Sequence, residues 1–161
     1  MVGVRPATPD DAPGIARVHI AAWHETYTRL LPPGAFDGLD DDLAPRTRRW
    51  RGIIEDDVTE VFVAERDGVI VGWASTGAGR QADAPRSLEL EGIYVLEGEY
   101  GTGTGQSLLD LAVGDRPAYL WVATGNPRAQ AFYRRNGFAD DGARDEHLLM
   151  GHPLEAARYV R

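Results

Sequence analysis

The sequence predicts an α/β protein (α+β in some schemes) built on one mixed β-sheet with helices on both faces. Apolar runs paired through tight turns indicate antiparallel strands over much of the chain. A helix-length segment between two apolar runs, residues 88–95 and 118–122, indicates a right-handed crossover that makes these two strands parallel. Because 161 residues can bury a full hydrophobic core, residues 1–161 are predicted to form a single domain.

The N-terminal half is predicted to contain a short strand, two helices and a β-hairpin. Thr8 can cap the first helix, in which apolar residues recur every three to four positions. The Asp67-Gly68 pair is a turn signal between two apolar runs and indicates the hairpin. In chain order, the predicted elements are strand 2–7, a helix that starts at residues 8–11 and extends through Trp23, helix 43–54, strand 59–65 and strand 69–75.

The C-terminal half is predicted to alternate between strands and helices and to end in two short strands. The continuous apolar run over residues 118–122 is typical of a strand buried on both faces. Asn126 and Pro127 begin the last helix, and Gly137 follows its end. In chain order, the predicted elements are strand 87–95, helix 107–113, strand 118–122, helix 127–136, strand 138–143 and strand 147–152.

The composition argues against several classes of function. The formal net charge of -8 disfavours nucleic-acid binding, because a phosphate backbone would be repelled over most of the surface. No apolar stretch approaches the roughly 20 residues that a membrane helix needs. The lack of cysteine excludes disulfides and a thiolate nucleophile, and the histidine spacing indicates no metal site. With no basic and apolar leader at its start, the chain is expected to be cytoplasmic.

A glycine-rich turn at residues 101–106, with the sequence GTGTGQ, lies between a predicted strand and a predicted helix. Such a turn lets the backbone approach a ligand closely and directs free amide groups at an anion, most often a phosphate. The P-loop pattern fails because no lysine follows Gly105, and the dinucleotide-binding pattern fails because Gln106 replaces its third glycine. The turn therefore indicates a phosphorylated small molecule, but neither an NTPase nor an NAD enzyme.

A phase slip in the fourth predicted strand indicates a β-bulge. Leu88 and Leu90 alternate, as do Ile93 and Val95, but the step from 90 to 93 is odd. A regular strand would place the second pair on the opposite face of the sheet. One extra residue near Glu91-Gly92 restores a common face and frees backbone groups for a ligand, and a simple twist or edge irregularity is the alternative.

Four segments of the sequence together match one known pattern. They are residues 90–95 (LEGIYV), residues 101–109 (GTGTGQSLL), residues 125–138 (GNPRAQAFYRRNGF), and the N-terminal residues 15–19 (IARVH) with Trp23, Tyr27 and Leu31-Pro32. The first three resemble the coenzyme A-binding core of the GNAT-type N-acetyltransferase superfamily. The fourth is similar to the first helices of an uncharacterised bacterial branch. The family usually has Gln or Arg where Tyr100 stands, so one side-chain contact to phosphate is not expected here.

The resemblance implies a mostly antiparallel seven-stranded sheet with a central parallel pair that splays apart. It also implies acetyl-coenzyme A as cosubstrate and no metal. The pyrophosphate would bind the amides of residues 101–106, and the pantetheine arm would pair with Ile93 and Val95 like an added strand. An amide freed by the bulge, at Ile93 or Tyr94, would polarise the thioester carbonyl. The cofactor-binding residues implied are Ile93, Tyr94, Val95, Gly101, Thr102, Gly103, Thr104, Gly105, Gln106, Asn126, Ala129 and Tyr133.

The implied chemistry is direct attack by an amine on acetyl-coenzyme A. Glu91 is expected to be the general base that takes the amine proton, with Glu89 or a water relay as alternatives. Tyr133 is expected to protonate the leaving thiolate, although its pattern alone favours core packing. Trp23, Tyr27 and Glu89 are expected to bind the acceptor, with core packing as the alternative for the two aromatic side chains.

Three functions remain open at this point. The leading one is acetylation of a primary amine on a small molecule. The alternatives are acetylation of a protein N-terminus or lysine, and a coenzyme A-binding regulatory domain without turnover. The similarity also suggests a homodimer. Of the three arginines on the last helix, Arg128, Arg134 and Arg135, one is a candidate to neutralise the 3′-phosphate, and solvated surface is the favoured alternative.

Overall fold

The computed structural model describes residues 1–161 and contains a seven-stranded sheet with four α-helices. The strands are β1 (Gly3–Pro6), β2 (Glu60–Arg66), β3 (Val69–Ala78), β4 (Leu88–Val95), β5 (Tyr119–Ala123), β6 (Ala139–Leu149) and β7 (His152–Val160). The helices are α1 (Ala12–Tyr27), α2 (Leu43–Asp56), α3 (Thr104–Ala112) and α4 (Pro127–Arg135). The order across the sheet is β1-β2-β3-β4-β5-β7-β6, and only β4 and β5 are parallel. The predicted mixed, mostly antiparallel sheet is confirmed.

Helices cover both faces of this sheet, as the sequence predicts. α1 and α2 pack on one face through a cluster that includes Ile15 and Trp50. α3 and α4 pack on the other face through a larger cluster that includes Leu108, Leu120 and Tyr133. Each fully buried apolar side chain of this size contributes about 1.5–3 kcal/mol, so the two clusters hold the helices to the sheet.

The last two strands lie further along the chain than the sequence indicates. The predicted strands 138–143 and 147–152 have the wrong bounds, because β6 and β7 meet in a turn at Met150-Gly151, where both residues have positive φ. β6 is an edge strand of mostly exposed residues, so it shows no apolar alternation. In β7 the buried Ala156 and Ala157 are adjacent and small, so no apolar periodicity marks that strand either.

The bulge predicted in β4 is present. Ser75 of β3 pairs with Gly92, and the next residue of β3 pairs with Leu90, so Glu91 is the extra residue. A side chain at Gly92 would lie 3.0 Å from the Trp73 ring, which explains why this position is a glycine. The bulge puts the apolar residues before and after it in one core, as the phase slip predicts.

β4 and β5 separate soon after they begin. Their parallel ladder contains only the pairs Glu89–Tyr119 and Leu90–Leu120. β5, by contrast, pairs with β7 from its first residue to its last. The sheet is therefore open between β4 and β5 on the side where both strands end, and this gap is central to the site.

Backbone groups of β4 face the gap. Leu96 donates its backbone N–H to the carbonyl oxygen of Val71 on β3, at 3.0 Å. Because backbone groups of successive strand residues point to opposite sides, those of Val95 and Ile93 point away from β3 and toward β5. No protein strand pairs with them there.

An aromatic cage encloses His19 on the α1 side of the sheet. Its ring lies 4.5 to 6.1 Å, between centroids, from the rings of Trp23, Trp50, Trp73 and Tyr94. The indole N–H of Trp50 donates to His19 Nδ1 at 3.1 Å. Burial, helped by the nearby positive charge of Arg46, lowers the pKa of His19 to about 3. His19 is therefore a neutral hydrogen-bond acceptor in the folded protein.

Acid should destabilise the fold through His19. Since its pKa is about 3 when folded and near 6.5 when unfolded, its contribution is complete above pH 6.5 and falls toward pH 3. The slope for one proton is at most about 1.4 kcal/mol per pH unit. His19→Asn keeps an acceptor for Trp50 but cannot titrate. Chemical denaturation at pH 7 and pH 5 should show a smaller loss of stability in this variant than in wild type.

Wild type measured at the same two pH values is the reference. An undiminished loss in His19→Asn would contradict the assigned titration.

Candidate active site

A cavity of about 350 Å³ occupies the gap between β4 and β5. It runs from the glycine-rich turn before α3 to the C-terminal end of α1. The predicted site residues that line it are Tyr27, Glu91, Ile93, Tyr94, Val95, Gly101, Gly103, Gly105, Gln106, Asn126, Ala129 and Tyr133. Those that do not line it are Trp23, Glu89, Thr102 and Thr104. The structure therefore gathers most of the predicted residues around one space.

The glycine-rich turn presents unpaired backbone amides to this cavity. Gly101 and Gly103 have φ values of +77° and +91°, a conformation that residues with a Cβ rarely adopt. None of the amides of residues 103–106 donates a hydrogen bond within the protein, and the first amide of this helix start that does so belongs to Ser107. Free amides at a helix start attract an anion, so the geometry suits a phosphate group.

The two threonines of the turn hold it in place and do not reach into the cavity. Their hydroxyl groups donate to the carboxylate of Glu99, at 3.2 Å from Thr102 and 3.1 Å from Thr104. Arg66 donates two further hydrogen bonds to the same carboxylate, at 2.9 and 2.8 Å. These bonds, those from Arg66 foremost, lower the pKa of Glu99 to about 2. Glu99 was not predicted from the sequence, because its partners come from two separate segments, β2 and the turn.

Tyr133 reaches the cavity from α4. Its side chain is buried, and its hydroxyl group forms no hydrogen bond with the protein. Burial raises its pKa above the usual value of 10, so the phenol is protonated at neutral pH. Such a group can donate a proton but cannot act as a base.

Two further tyrosine hydroxyls meet on the other side of the cavity. Tyr27 of α1 and Tyr94 of β4 are hydrogen-bonded to each other through their hydroxyl oxygens, 2.8 Å apart. Burial raises the pKa of both. This bond joins the end of α1 to the strand segment that follows the bulge.

Glu91 is the carboxylate of the bulge. Its side chain is 16% exposed and lies 3.7 Å from Arg80 Nε. Burial raises its pKa, the charge of Arg80 opposes that shift, and the charge of Glu89 adds to it. A carboxylate with a raised pKa is a better proton acceptor near neutral pH than an exposed one.

Glu89, two residues earlier in β4, lies in a different environment. Arg80 donates to its two oxygens at 3.1 and 2.6 Å, and the hydroxyl of Tyr119 donates to it at 2.9 Å. Burial opposes ionisation, but the hydrogen bonds and charge of Arg80 outweigh it and lower the pKa of Glu89. Because all its capacity is used within the protein and it lies outside the cavity wall, its position does not support the predicted contact with the acceptor.

Asn126 and Gln106 face the cavity with side chains that are engaged elsewhere. Asn126 Oδ1 accepts the amide of Ala129 at 3.2 Å and thereby caps α4, as the sequence predicts. Gln106 Nε2 donates to Asn136 Oδ1 at 2.7 Å and links α3 to the end of α4. Both residues keep the two helices in position on either side of the gap.

Trp121 lines the cavity, whereas Trp23 does not. In the sequence, Trp121 was predicted only as part of an apolar run. Trp23 packs against His19 inside the aromatic cage and against the guanidinium of Arg46, 4.8 Å from its ring centroid. Its predicted contact with the acceptor is therefore not supported. Trp121 of β5 donates its indole N–H to Gln81 at 3.0 Å. The only signal in the sequence was its position two residues before the strand end.

The structure contains no cluster of three or more histidine, cysteine, aspartate or glutamate side chains arranged to bind a metal ion. None of its helices combines the length and apolar character that would be needed to cross a membrane.

The family model for acetyltransferases of the GNAT family matches residues 20–138 of the chain. The chain belongs to the GNAT family. The predicted enzyme class, an acetyl-coenzyme A-dependent N-acetyltransferase, is thereby confirmed.

Known proteins resemble this acetyltransferase over nearly their whole length. YuaI of Bacillus subtilis, an uncharacterized N-acetyltransferase, is 31% identical over 168 residues, which cover 95% of this chain and 94% of YuaI. The PaiA N-acetyltransferase of Thermoplasma acidophilum, solved in complex with coenzyme A, superimposes with a TM-score of 0.73 at 17% identity and 98% coverage of both chains. A ribosomal-protein-alanine N-acetyltransferase of Brucella melitensis gives a TM-score of 0.70 at 26% identity, covering 99% and 98%.

Gly103→Ala tests the turn of this acetyltransferase. Gly103 has φ +91° and open space beside it, so a methyl group there strains the backbone and also projects into unoccupied space at the turn. We expect a loss of about 1 kcal/mol in stability and at least about tenfold weaker binding of acetyl-coenzyme A by calorimetry.

Gly68→Ala is the matched control, because Gly68 has φ +79° with equally open surroundings but lies in the β2–β3 turn. It should cost similar stability and leave cofactor affinity unchanged. Equal affinity of the Gly103 and Gly68 variants would contradict a phosphate site at the turn.

Proposed function

We propose that this acetyltransferase transfers the acetyl group of acetyl-coenzyme A to a primary amine of a small molecule by direct attack. The observation that carries the proposal is the single cavity in the β4–β5 gap, which joins the unpaired amides of the glycine turn to Tyr133 and Glu91.

The donor would lie along the open edge of β4. Its pyrophosphate would accept hydrogen bonds from the amides of residues 103–106, and the amide groups of its pantetheine arm would pair with Ile93 and Val95. Support comes from the direction of these backbone groups and from the extent of the cavity. The coenzyme A bound in the PaiA structure favours the same donor.

The proposed chemical roles follow from burial, which raises the pKa of both Glu91 and Tyr133. Glu91, with its raised pKa, would take the proton of the ammonium group directly or through a water molecule, leaving a neutral nucleophile. The amine would then attack the thioester carbon, and the backbone amide of Ile93, which follows the bulge and points into the gap, would stabilise the developing oxyanion. The backbone of Tyr94 points toward β3, so its amide is not available for this role. Tyr133, neutral in its buried position, would give its proton to the departing thiolate.

Two loops packed beside the cavity favour a small substrate over a protein chain. Leu30, in the loop after α1, packs so closely on Gly125 at the end of β5 that a Cβ there would meet it at 2.7 Å. The loop between β3 and β4 is held in place by the bonds Gln81–Trp121 and Arg80–Glu89. Trp121 and Tyr27 both line the cavity. Their faces would hold a cationic amine by cation–π attraction.

A panel of acceptors distinguishes this proposal from its alternatives. Thiol release from acetyl-coenzyme A should be fastest with small primary amines. The 26% identity to the Brucella protein keeps protein acetylation as the second candidate, and turnover only with peptides bearing a free N-terminus or lysine would favour it. Tight cofactor binding without turnover on any amine would instead indicate a regulatory domain.

Tyr133→Phe should lower kcat by about 10²-fold or more while the affinity for acetyl-coenzyme A stays near wild type. The reason is that only the transferable proton is removed from a side chain that otherwise packs identically. Steady-state kinetics and calorimetry provide the two measurements. Tyr159→Phe, at a buried tyrosine outside the cavity, is the control and should retain wild-type kcat. Unchanged turnover in Tyr133→Phe would remove this residue from the mechanism.

Glu91→Gln should remove the acid limb of the pH–rate profile. A base works only when deprotonated, so kcat/KM for the amine should rise with pH through the raised pKa of Glu91 in wild type. The variant should lose about 10²-fold in rate and should no longer show that limb. Glu65→Gln, which affects a strand carboxylate paired with Arg5 far from the cavity, should keep the wild-type profile. A wild-type acid limb in Glu91→Gln would assign the base to another group.

A further inference from the structure

A cation and an aromatic ring that both line the cavity meet beside the glycine turn. Tyr100 immediately precedes the glycine turn, on the β4–α3 side of the cavity, and Arg128 lies in the first turn of α4, on the β5–α4 side. The guanidinium carbon of Arg128 lies 3.4 Å from the centroid of the Tyr100 ring. Both residues line the cavity, so the contact lies next to the unpaired amides.

The charge around the cavity makes Arg128 one of two candidates to bind an anion. Only two cationic side chains line the cavity, Arg128 and Arg135, and neither forms an ion pair, in a chain whose net charge is -8. The acidic residue nearest the turn, Glu99, is already neutralised by Arg66. The side chain of Arg128 also forms no hydrogen bond, so all its N–H donors are free for a ligand.

The stacking geometry leaves those donors usable. A guanidinium that stacks through its face on an aromatic ring keeps its five N–H groups at the edge, where they match the oxygen atoms of a phosphate. The ring also restricts the rotamers of a long side chain before the ligand arrives, which reduces the entropy lost on binding. Tyr100 thus occupies the position where the family pattern has a polar phosphate contact and supplies a support in its place.

We propose that Arg128, held against the ring of Tyr100, provides the side-chain cation that binds the pyrophosphate of acetyl-coenzyme A. Arg128 is a cofactor-binding residue in this arrangement and Tyr100 is its positioning residue. The inference rests on acetyl-coenzyme A being the donor, as in the function proposed above.

Calorimetry without acceptor tests the contact independently of chemistry. Arg128→Gln should weaken binding of acetyl-coenzyme A about tenfold or more, as expected for a charge-assisted contact. Arg134→Gln, six positions along the same helix and hydrogen-bonded to Tyr159 outside the cavity, is the matched control and should bind as wild type. The same relative loss should appear with acetyl-dephospho-coenzyme A, which keeps the pyrophosphate and lacks the 3′-phosphate.

Variants of Tyr100 distinguish a role in positioning Arg128 from a role in folding. Tyr100→Phe retains the ring and should bind the donor as wild type, whereas Tyr100→Ala should bind severalfold more weakly with an unchanged melting temperature. The double variant Arg128→Gln with Tyr100→Arg moves the cation to the turn itself and should recover much of the lost affinity. Saturating donor should restore kcat in each of these variants.

Three results would overturn the inference. If wild type binds acetyl-coenzyme A and Arg128→Gln binds equally well, the proposed function stands and this contact is wrong. If the loss disappears with the dephospho compound, Arg128 binds the 3′-phosphate instead. If wild type binds no acetyl-coenzyme A, the proposed function itself fails and the inference fails with it.

Discussion

The early separation of β4 from β5 is the constraint on which the site depends. Two adjacent parallel strands normally satisfy each other's backbone groups along their whole length, and unpaired groups away from water are costly. Here the ladder ends after Leu90 and Leu120, while β5 remains fully paired with β7. The free edge of β4 therefore carries unpaired backbone groups, and an extended ligand that contains amide groups can form hydrogen bonds with them.

The bulge at Glu91 determines which functional groups of β4 lie beside this opening. By inserting one residue against Ser75, it lets Leu90 and Ile93 share a core face while Glu91 stays at the cavity wall. It also directs Tyr94 into the aromatic cage, where its hydroxyl meets that of Tyr27. One irregularity in one strand thus fixes the carboxylate, the free backbone edge and the contact to α1.

Local sequence patterns predicted the parts of the site whose conformation depends on neighbouring residues in the chain. The odd step between Leu90 and Ile93 was sufficient to locate the bulge, because side chains alternate strictly along a regular strand. The glycines at 101 and 103 marked the turn, since they adopt positive φ. Asn126 marked the start of α4 because its side chain bonds its own helix.

Features that depend on contacts with residues distant in sequence could not be predicted from local patterns. Whether Trp23 or Trp121 lines the cavity is decided by how α1 packs on the sheet, and both are equally apolar in sequence. Glu89 remained an alternative to Glu91 as the base, and the sequence did not indicate that Arg80, from a loop without periodicity, binds its carboxylate. The bounds of β7 were missed because an exposed partner strand and two small alanines leave no hydrophobic pattern.

Amide hydrogen exchange with and without acetyl-coenzyme A tests the central claim most directly. If the donor completes the open edge of β4, saturation should slow exchange at Ile93 and Val95 and at residues 103–106, with little change in the paired strands β2 and β7. Saturated binding that leaves the exchange of Ile93 and Val95 unchanged would contradict the account, because the donor would then lie somewhere other than the gap.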